Sequence, residues 1–195
     1  MNWVNPIYLK SVKGLKKQFS ANKPFPHLVL GNFFAKKIHN VAKQLLKEKF
    51  VEQNSDLFQF QQMTTDCSKA TQPAVREFHK FFSSKEFIKF ISEITGIKLK
   101  FIDMSAFIYD DTDYLLPHDD RLSGRKIAYV VQVGDNFTKD DGGALQLFKN
   151  KKIVKSIPPA FNTFTIFQVS SKSWHQVQEI MSDKKRISFA GWFHG

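Results

Sequence analysis

The chain has 195 residues, 42% hydrophobic and 24% charged, which is the size and balance of one globular domain and not of a disordered or fibrous chain. Its one cysteine, Cys67, excludes an internal disulfide framework and a cysteine-based zinc site, and reads as a small structural residue. The net charge of +11 is mostly lysine spread along the chain, which suits a solvated basic surface or a polyanion such as RNA, a ribosome or acidic lipid, but no nucleic-acid motif accompanies it.

The opening MNWVNPIYLKSVKGLKKQF has no apolar run long enough for a signal peptide or a membrane span. A soluble, cytoplasmic protein without a membrane partner is expected. Residues 5–20 predict a helix with Ile7, Leu15 and Phe19 among its apolar positions. PFPHLVLGNFF (24–34) predicts a strand leaving a Pro-bounded turn. Residues 35–49 resume helical spacing, with Ile38, Val41, Leu45 and Leu46 on one face and lysines opposite. LFQFQQM alternates Phe58 and Phe60 against glutamines, as a strand does. Helices follow at about 71–82 and 84–95, the second stopping at Gly96.

From residue 98 short alternating or apolar runs take over, among them KLKFIDMSAFIYD, KIAYVVQV, GALQLF, KKIVKSI, NTFTIFQV, SWHQVQEI and RISFAGWFH. Helices first and about eight strands afterwards predict a mainly β fold with N-terminal helices: an antiparallel barrel or jelly roll. The 21 phenylalanines can fill its core. We expect one domain over 1–195, with 1–97 as helical support carrying early strands and 98–195 as the main part of the barrel.

Within YLLPHDDRLSGRK (114–126), side chains at i and i+2 of an extended segment share a face. That turns His118 and Asp120 together and Asp119 away. Of the remaining histidines, only His175 lies inside an apolar strand of the barrel half. Two histidines and one carboxylate with open positions form the facial triad that suits non-haem Fe(II). A solvated turn also reads HxD, and a buried hydrogen-bonded histidine also reads like His175; the conjunction is what points to metal. Arg186 follows His175 by eleven residues and opens a strand, so its fork could grip a carboxylate. Ser188 shares its side. Lys184 and Lys185 read as exposed.

The run HxD, distal His, RxS and a terminal GWFHG resembles the Fe(II)- and 2-oxoglutarate-dependent oxygenases of the prolyl hydroxylase type. More narrowly, LLPHDD, GRKIAYVV, DGGALQLF and KRISFAGWFHG are similar to the catalytic domain of ribosomal-protein prolyl hydroxylases. The resemblance spans about 24–195. It implies a double-stranded β-helix, cupin-like, with iron on His118, Asp120 and His175 and the distal 2-oxoglutarate carboxylate on Arg186. It further implies that Tyr109 lies beside the co-substrate, that Leu145 walls its pocket with Trp192 packed near, and that Arg125 stands at the substrate entrance or is a solvated turn charge. Where relatives carry a tyrosine bonded to 2-oxoglutarate, this chain has Gln132, an amide of different reach. Eukaryotic members carry a second, non-catalytic barrel after the first; residues 1–195 match the first alone, whether the second is absent or was removed, and its substrate-docking role is not carried over.

The implied activity is oxidative decarboxylation of 2-oxoglutarate by O2, supported by ascorbate, coupled to hydroxylation of a prolyl residue in a protein such as a ribosomal or translation-related one. Hydroxylation of a free amino acid or small molecule is the alternative; an open groove beside 110–117 and 134–142, polar segments expected to be mobile, separates the two. A non-catalytic barrel that binds RNA or the ribosome is the alternative from another class, although direct nucleic-acid binding is not expected here. A cupin-type enzyme using Mn or Zn is a further reading.

Overall fold

The computed structural model describes residues 1–195. Two helices, α1 (Pro6–Leu9) and α2 (Val12–Ala21), replace the one expected over 5–20. The break has a local cause: the Ser11 hydroxyl donates back to the Ile7 carbonyl at 2.9 Å, competing with the helix ladder. Leu15 and Phe19 are buried as expected, but Ile7, on the short first helix, is 63% exposed. α3 (Ile38–Leu45) is shorter than 35–49 and buries Ile38, Val41 and Leu45. Leu46 caps its end and is exposed, not on the buried face. α4 (Pro73–Phe82) and α5 (Lys85–Thr95) follow the expected spans. The Ser84 side chain accepts from the Phe87 N–H, and Gly96 ends α5 in the left-handed conformation at φ 72°.

The strands are β1 (His27–Leu30), β2 (Phe50–Ser55), β3 (Phe58–Met63), β4 (Phe101–Ile102), β5 (Ser105–Tyr109), β6 (Tyr114–His118), β7 (Arg125–Gln132), β8 (Leu145–Lys149), β9 (Lys152–Ile157), β10 (Thr163–Gln168), β11 (His175–Val177) and β12 (Arg186–His194). They form one antiparallel sheet in the order β1-β10-β7-β12-β5-β3-β6-β11-β8-β9, with β2 on β3 and β4 on β12. β3 bridges β5 and β6, so the sheet curls on itself. The early strands are therefore part of the curl: β1 pairs with β10 and β3 sits mid-path.

Alternation along each strand divides the apolar residues. Ile127, Tyr129 and Val131 of β7 and Ile187, Phe189 and Phe193 of β12 face the helices, joining Phe78, Phe82 and Phe87 in a core of 36 buried residues. Each such side chain contributes about 1.5–3 kcal/mol of burial. The opposite face of β12 carries Arg186, Ser188, Ala190 and Trp192 into a cavity inside the curl. No helix is long and apolar enough to cross a membrane.

Candidate active site

The cavity holds about 270 Å³. His118 ends β6 and His175 opens β11, and the two are direct cross-strand partners. Such pairs share a face, and the imidazole centroids lie 4.2 Å apart. The Asp120 carboxylate stands between them, Oδ1 3.4 Å from His118 Nε2 and Oδ2 3.3 Å from His175 Nε2. The three ligand atoms lie within 4.8 Å of one another.

Strand alternation does not bring Asp120 there. β6 stops at His118, and Asp120 has φ 63°, in the left-handed region. Asp can occupy that region where most residues strain. The turn itself aims the carboxylate inward. Buried Ser173 braces it: its hydroxyl lies 2.7 Å from the Ser170 carbonyl and 3.1 Å from the Asp119 carbonyl, which share its one proton. Asp119 points elsewhere and accepts from the Arg121 N–H at 3.2 Å and Nε–H at 2.7 Å.

Backbone carbonyls orient both histidines. His118 Nδ1 lies 2.9 Å from the Leu116 carbonyl and His175 Nδ1 2.7 Å from the Ser173 carbonyl. A carbonyl only accepts, so each Nδ1 carries its proton and each Nε2 is left for the cavity. Burial works against the Asp120 charge, but hydrogen bonds from both imidazoles outweigh it and hold the carboxyl well below the usual carboxylate range. Burial would lower His118, yet its bond to Asp120 and that charge raise it. One ionised carboxylate and two Nε2 atoms facing one point fit a divalent ion, which replaces the shared protons.

Arg186 is the second unusual group. It is 2% exposed, its Nε has no hydrogen-bond partner, and burial depresses its pKa. Its cross-strand partner is Tyr109, over whose ring the guanidinium carbon sits at 5.0 Å. Burial pushes the Tyr109 hydroxyl up to about 12, against the pull of the Arg186 charge, so it stays a neutral donor. A buried cation without an anion is costly. The arrangement therefore fits an anionic ligand that reaches Arg186 from the cavity.

Tyr109, Leu145, Ser188, Trp192 and Arg125 all line the cavity. The Arg125 guanidinium carbon lies 3.3 Å from the Trp192 ring centroid, and the indole N–H is buried without a partner. Gln132 is not among the lining residues. It is buried opposite Ser188 on the same face, with Oε1 unpartnered. The sequence reading missed the apolar wall, formed by Phe58, Phe60, Phe107, Leu115, Phe167 and Val177; the alternation of Phe58 and Phe60 was its one visible signal. It also missed Ser173, which orients His175 and pins the Asp120 turn. The segments expected to be mobile carry local hydrogen bonds. Asp113 accepts from the Asp110 N–H at 2.9 Å, and Asp141 accepts from Thr138 and from Lys184 Nζ at 2.7 Å.

Residues 104–194 match the family model of the 2OG-Fe(II) oxygenase superfamily. Prolyl 3-hydroxylase OGFOD1 of Mus musculus is 37% identical over 182 residues, covering 88% of this chain and 33% of that protein. The chain thus spans about a third of the length of the curated relatives it matches. A Pseudomonas putida prolyl-4-hydroxylase superposes with a TM-score of 0.75 at 16% identity over 92% of this chain and 98% of that one. A Trichoplax adhaerens prolyl hydroxylase, solved in complex with a hypoxia-inducible-factor oxygen-degradation-domain peptide, gives 0.75 at 15% identity over 97% and 93%. The shared fold is the double-stranded β-helix.

Proposed function

Because residues 104–194 of this chain belong to the 2OG-Fe(II) oxygenase superfamily, we propose that it is an Fe(II)- and 2-oxoglutarate-dependent dioxygenase that hydroxylates a prolyl residue of a protein. The observation that carries the reading is the pairing of a two-histidine, one-carboxylate cluster with a buried, unpartnered arginine in one cavity. His118, Asp120 and His175 would hold Fe(II), and Arg186 would receive the distal carboxylate of 2-oxoglutarate, with Ser188 and the Tyr109 hydroxyl as neutral donors beside it. Fe(II) with 2-oxoglutarate and O2 supplies oxidative decarboxylation to succinate and CO2 and oxygen transfer to a C–H bond. The chain's own residues position and dry the site: the phenylalanine wall excludes water, and the Leu116 and Ser173 carbonyls fix both imidazoles.

A protein substrate is favoured over a free amino acid. Asp120 is the one carboxylate lining the cavity, so nothing there would pair with a free α-ammonium group. Exposed Leu57, Leu116 and Leu122 stand around the turn that carries Asp120, where a chain could lie. The prolyl preference comes from the relatives. The ribosomal or translational target and the cytoplasmic setting remain expectations of the sequence.

The test is turnover with Fe(II), ascorbate and 2-oxoglutarate. Succinate should form, and a proline of a target protein should gain one oxygen by mass spectrometry. Arg186→Leu should raise the KM for 2-oxoglutarate about 30-fold or more, the loss expected when a buried charge pair is broken, while the melting temperature holds or rises because an unpaired buried cation is gone. Oxygen gained only by residues other than proline would end the prolyl assignment.

A further inference from the structure

Carboxylates are absent from two long stretches of this chain. Residues 1–47 contain Lys10, Lys13, Lys16, Lys17, Lys23, Lys36, Lys37, Lys43 and Lys47 and no Asp or Glu. Residues 142–178 contain Lys149, Lys151, Lys152, Lys155 and Lys172 and again none. Neither stretch contains an arginine.

The curl brings part of each together where the two ends of the sheet meet, β1 at one end and β9 at the other. β1 pairs with β10. Lys155 of β9 donates from Nζ to His27 Nε2 of β1 at 2.9 Å, and the Gln168 N–H donates to the Pro26 carbonyl at 3.0 Å. At the far end of the β8–β9 hairpin the Phe148 N–H donates to the Trp174 carbonyl at 2.9 Å. That brings Lys149 beside the turn that carries Lys172. An arc of exposed lysines thus runs from Lys23 past β9 to Lys149, Lys151, Lys152 and Lys172. It ends on the segment that also carries His175.

We propose that this arc binds the backbone of single-stranded RNA, with Trp174 as a platform for a base. Trp174 is 46% exposed between Lys149 and Lys172. An exposed indole among cations suits unpaired nucleobases and phosphates. Lysine alone supplies mobile point charges for a regular phosphate chain; an acidic peptide is gripped better by the arginine fork. The arc leads to the rim of the cavity, so RNA bound there would hold an attached or neighbouring protein near the site. The inference concerns binding and stands whether or not the chain hydroxylates proline.

Fluorescence anisotropy with a labelled mixed-sequence single-stranded RNA tests it, against labelled poly-glutamate as the acidic-protein probe. The RNA should bind, and more tightly than poly-glutamate at equal salt. The combined Lys149→Gln, Lys152→Gln and Lys172→Gln variant should lower the salt slope by about 2, because each phosphate left without its lysine takes away about 0.7. Trp174→Ala should weaken binding about ten-fold, with circular dichroism confirming the fold. Lys85→Gln, Lys89→Gln and Lys98→Gln together remove the same charge elsewhere and should change the slope far less. Asp120→Ala should bind RNA as the parent does. Equal loss in both lysine triples would reduce the arc to diffuse net charge. Tighter binding of poly-glutamate, no RNA binding, or indifference to Trp174→Ala would each overturn the proposal.

Discussion

Asp119 and Asp120 are adjacent and do different things. Asp120 is held ionised between two imidazoles, whereas Asp119 closes a turn onto Arg121. Removing the first deletes the one carboxylate the cluster has, so Asp120→Ala should abolish succinate formation and weaken Fe(II) binding by more than about 100-fold, beyond what loss of an outer-shell partner costs. Asp119→Ala should keep Fe(II) affinity within about ten-fold; equal losses in the two titrations would mean that both carboxylates serve the metal. His27 makes a residue-scale prediction about pH. It is fully buried, accepts from Lys155 and lies 2.8 Å from the Phe25 carbonyl. Burial lowers its pKa below 6.5, and the Lys155 charge adds to that against the Phe25 bond. The unfolded chain then binds the extra proton first. Stability from this group is full above pH 6.5 and is lost as pH falls below it. The melting temperature of His27→Gln should therefore decline less steeply below pH 6.5 than that of the parent; parallel curves would show that His27 does not contribute.

At the scale of elements, β12 positions both the core and the site, and Gly191 shows how tightly. A Cβ there would meet the Asp103 carbonyl oxygen inside contact distance. That carbonyl also accepts from the Tyr129 hydroxyl at 2.7 Å, and the Asp103 carboxylate accepts from the Trp192 N–H at 2.8 Å. Gly191→Ala should cost about 1–3 kcal/mol by overpacking. Gly14→Ala, in α2 with open space around it, should gain roughly 0.5–1 kcal/mol; chemical denaturation of both variants gives the comparison. The same elements show what the sequence could reveal. α4 and α5 were legible because apolar spacing runs along each, with Pro73 opening α4 and Ser84 and Gly96 bounding α5, and β7, β10 and β12 because one face of each is mostly apolar. β2 was not, since its side chains are largely exposed and nothing selects its alternation. The meeting of His118 with Asp120 was legible as residue types at close spacing, but not its cause: a left-handed turn pinned by Ser173, a contact 54 residues away in sequence. The phenylalanine wall escaped for a similar reason, since residues from β3, β5, β6, β10 and β11 meet only when the sheet curls.

For the whole molecule, the question is whether the helical half is an accessory or part of the folding unit. β3 lies between β5 and β6 and so closes the curl, and it supplies Phe58 and Phe60 to the cavity. β1 covers the edge of β10. The 36-residue core is shared, with Phe82 packing against Tyr129 at 4.7 Å and Phe193 at 5.6 Å between ring centroids. Residues 98–195 alone would expose that apolar face and an unpaired sheet edge, and would lack the strand that joins the two parts of the sheet. We therefore propose one cooperative domain over 1–195. Thermal unfolding followed by far-ultraviolet circular dichroism and by tryptophan fluorescence should give coincident single transitions. Trp3 lies in the helical layer, Trp192 in the cavity and Trp174 near its rim, so the fluorescence signal samples both parts of the proposed unit. The 98–195 fragment should show no sigmoidal transition and should not bind Fe(II) with the parent's affinity. A fragment that melts cooperatively by itself would make the helical half a separable support. The cavity would then have to close without Phe58 and Phe60, contrary to the register seen between β3 and β6.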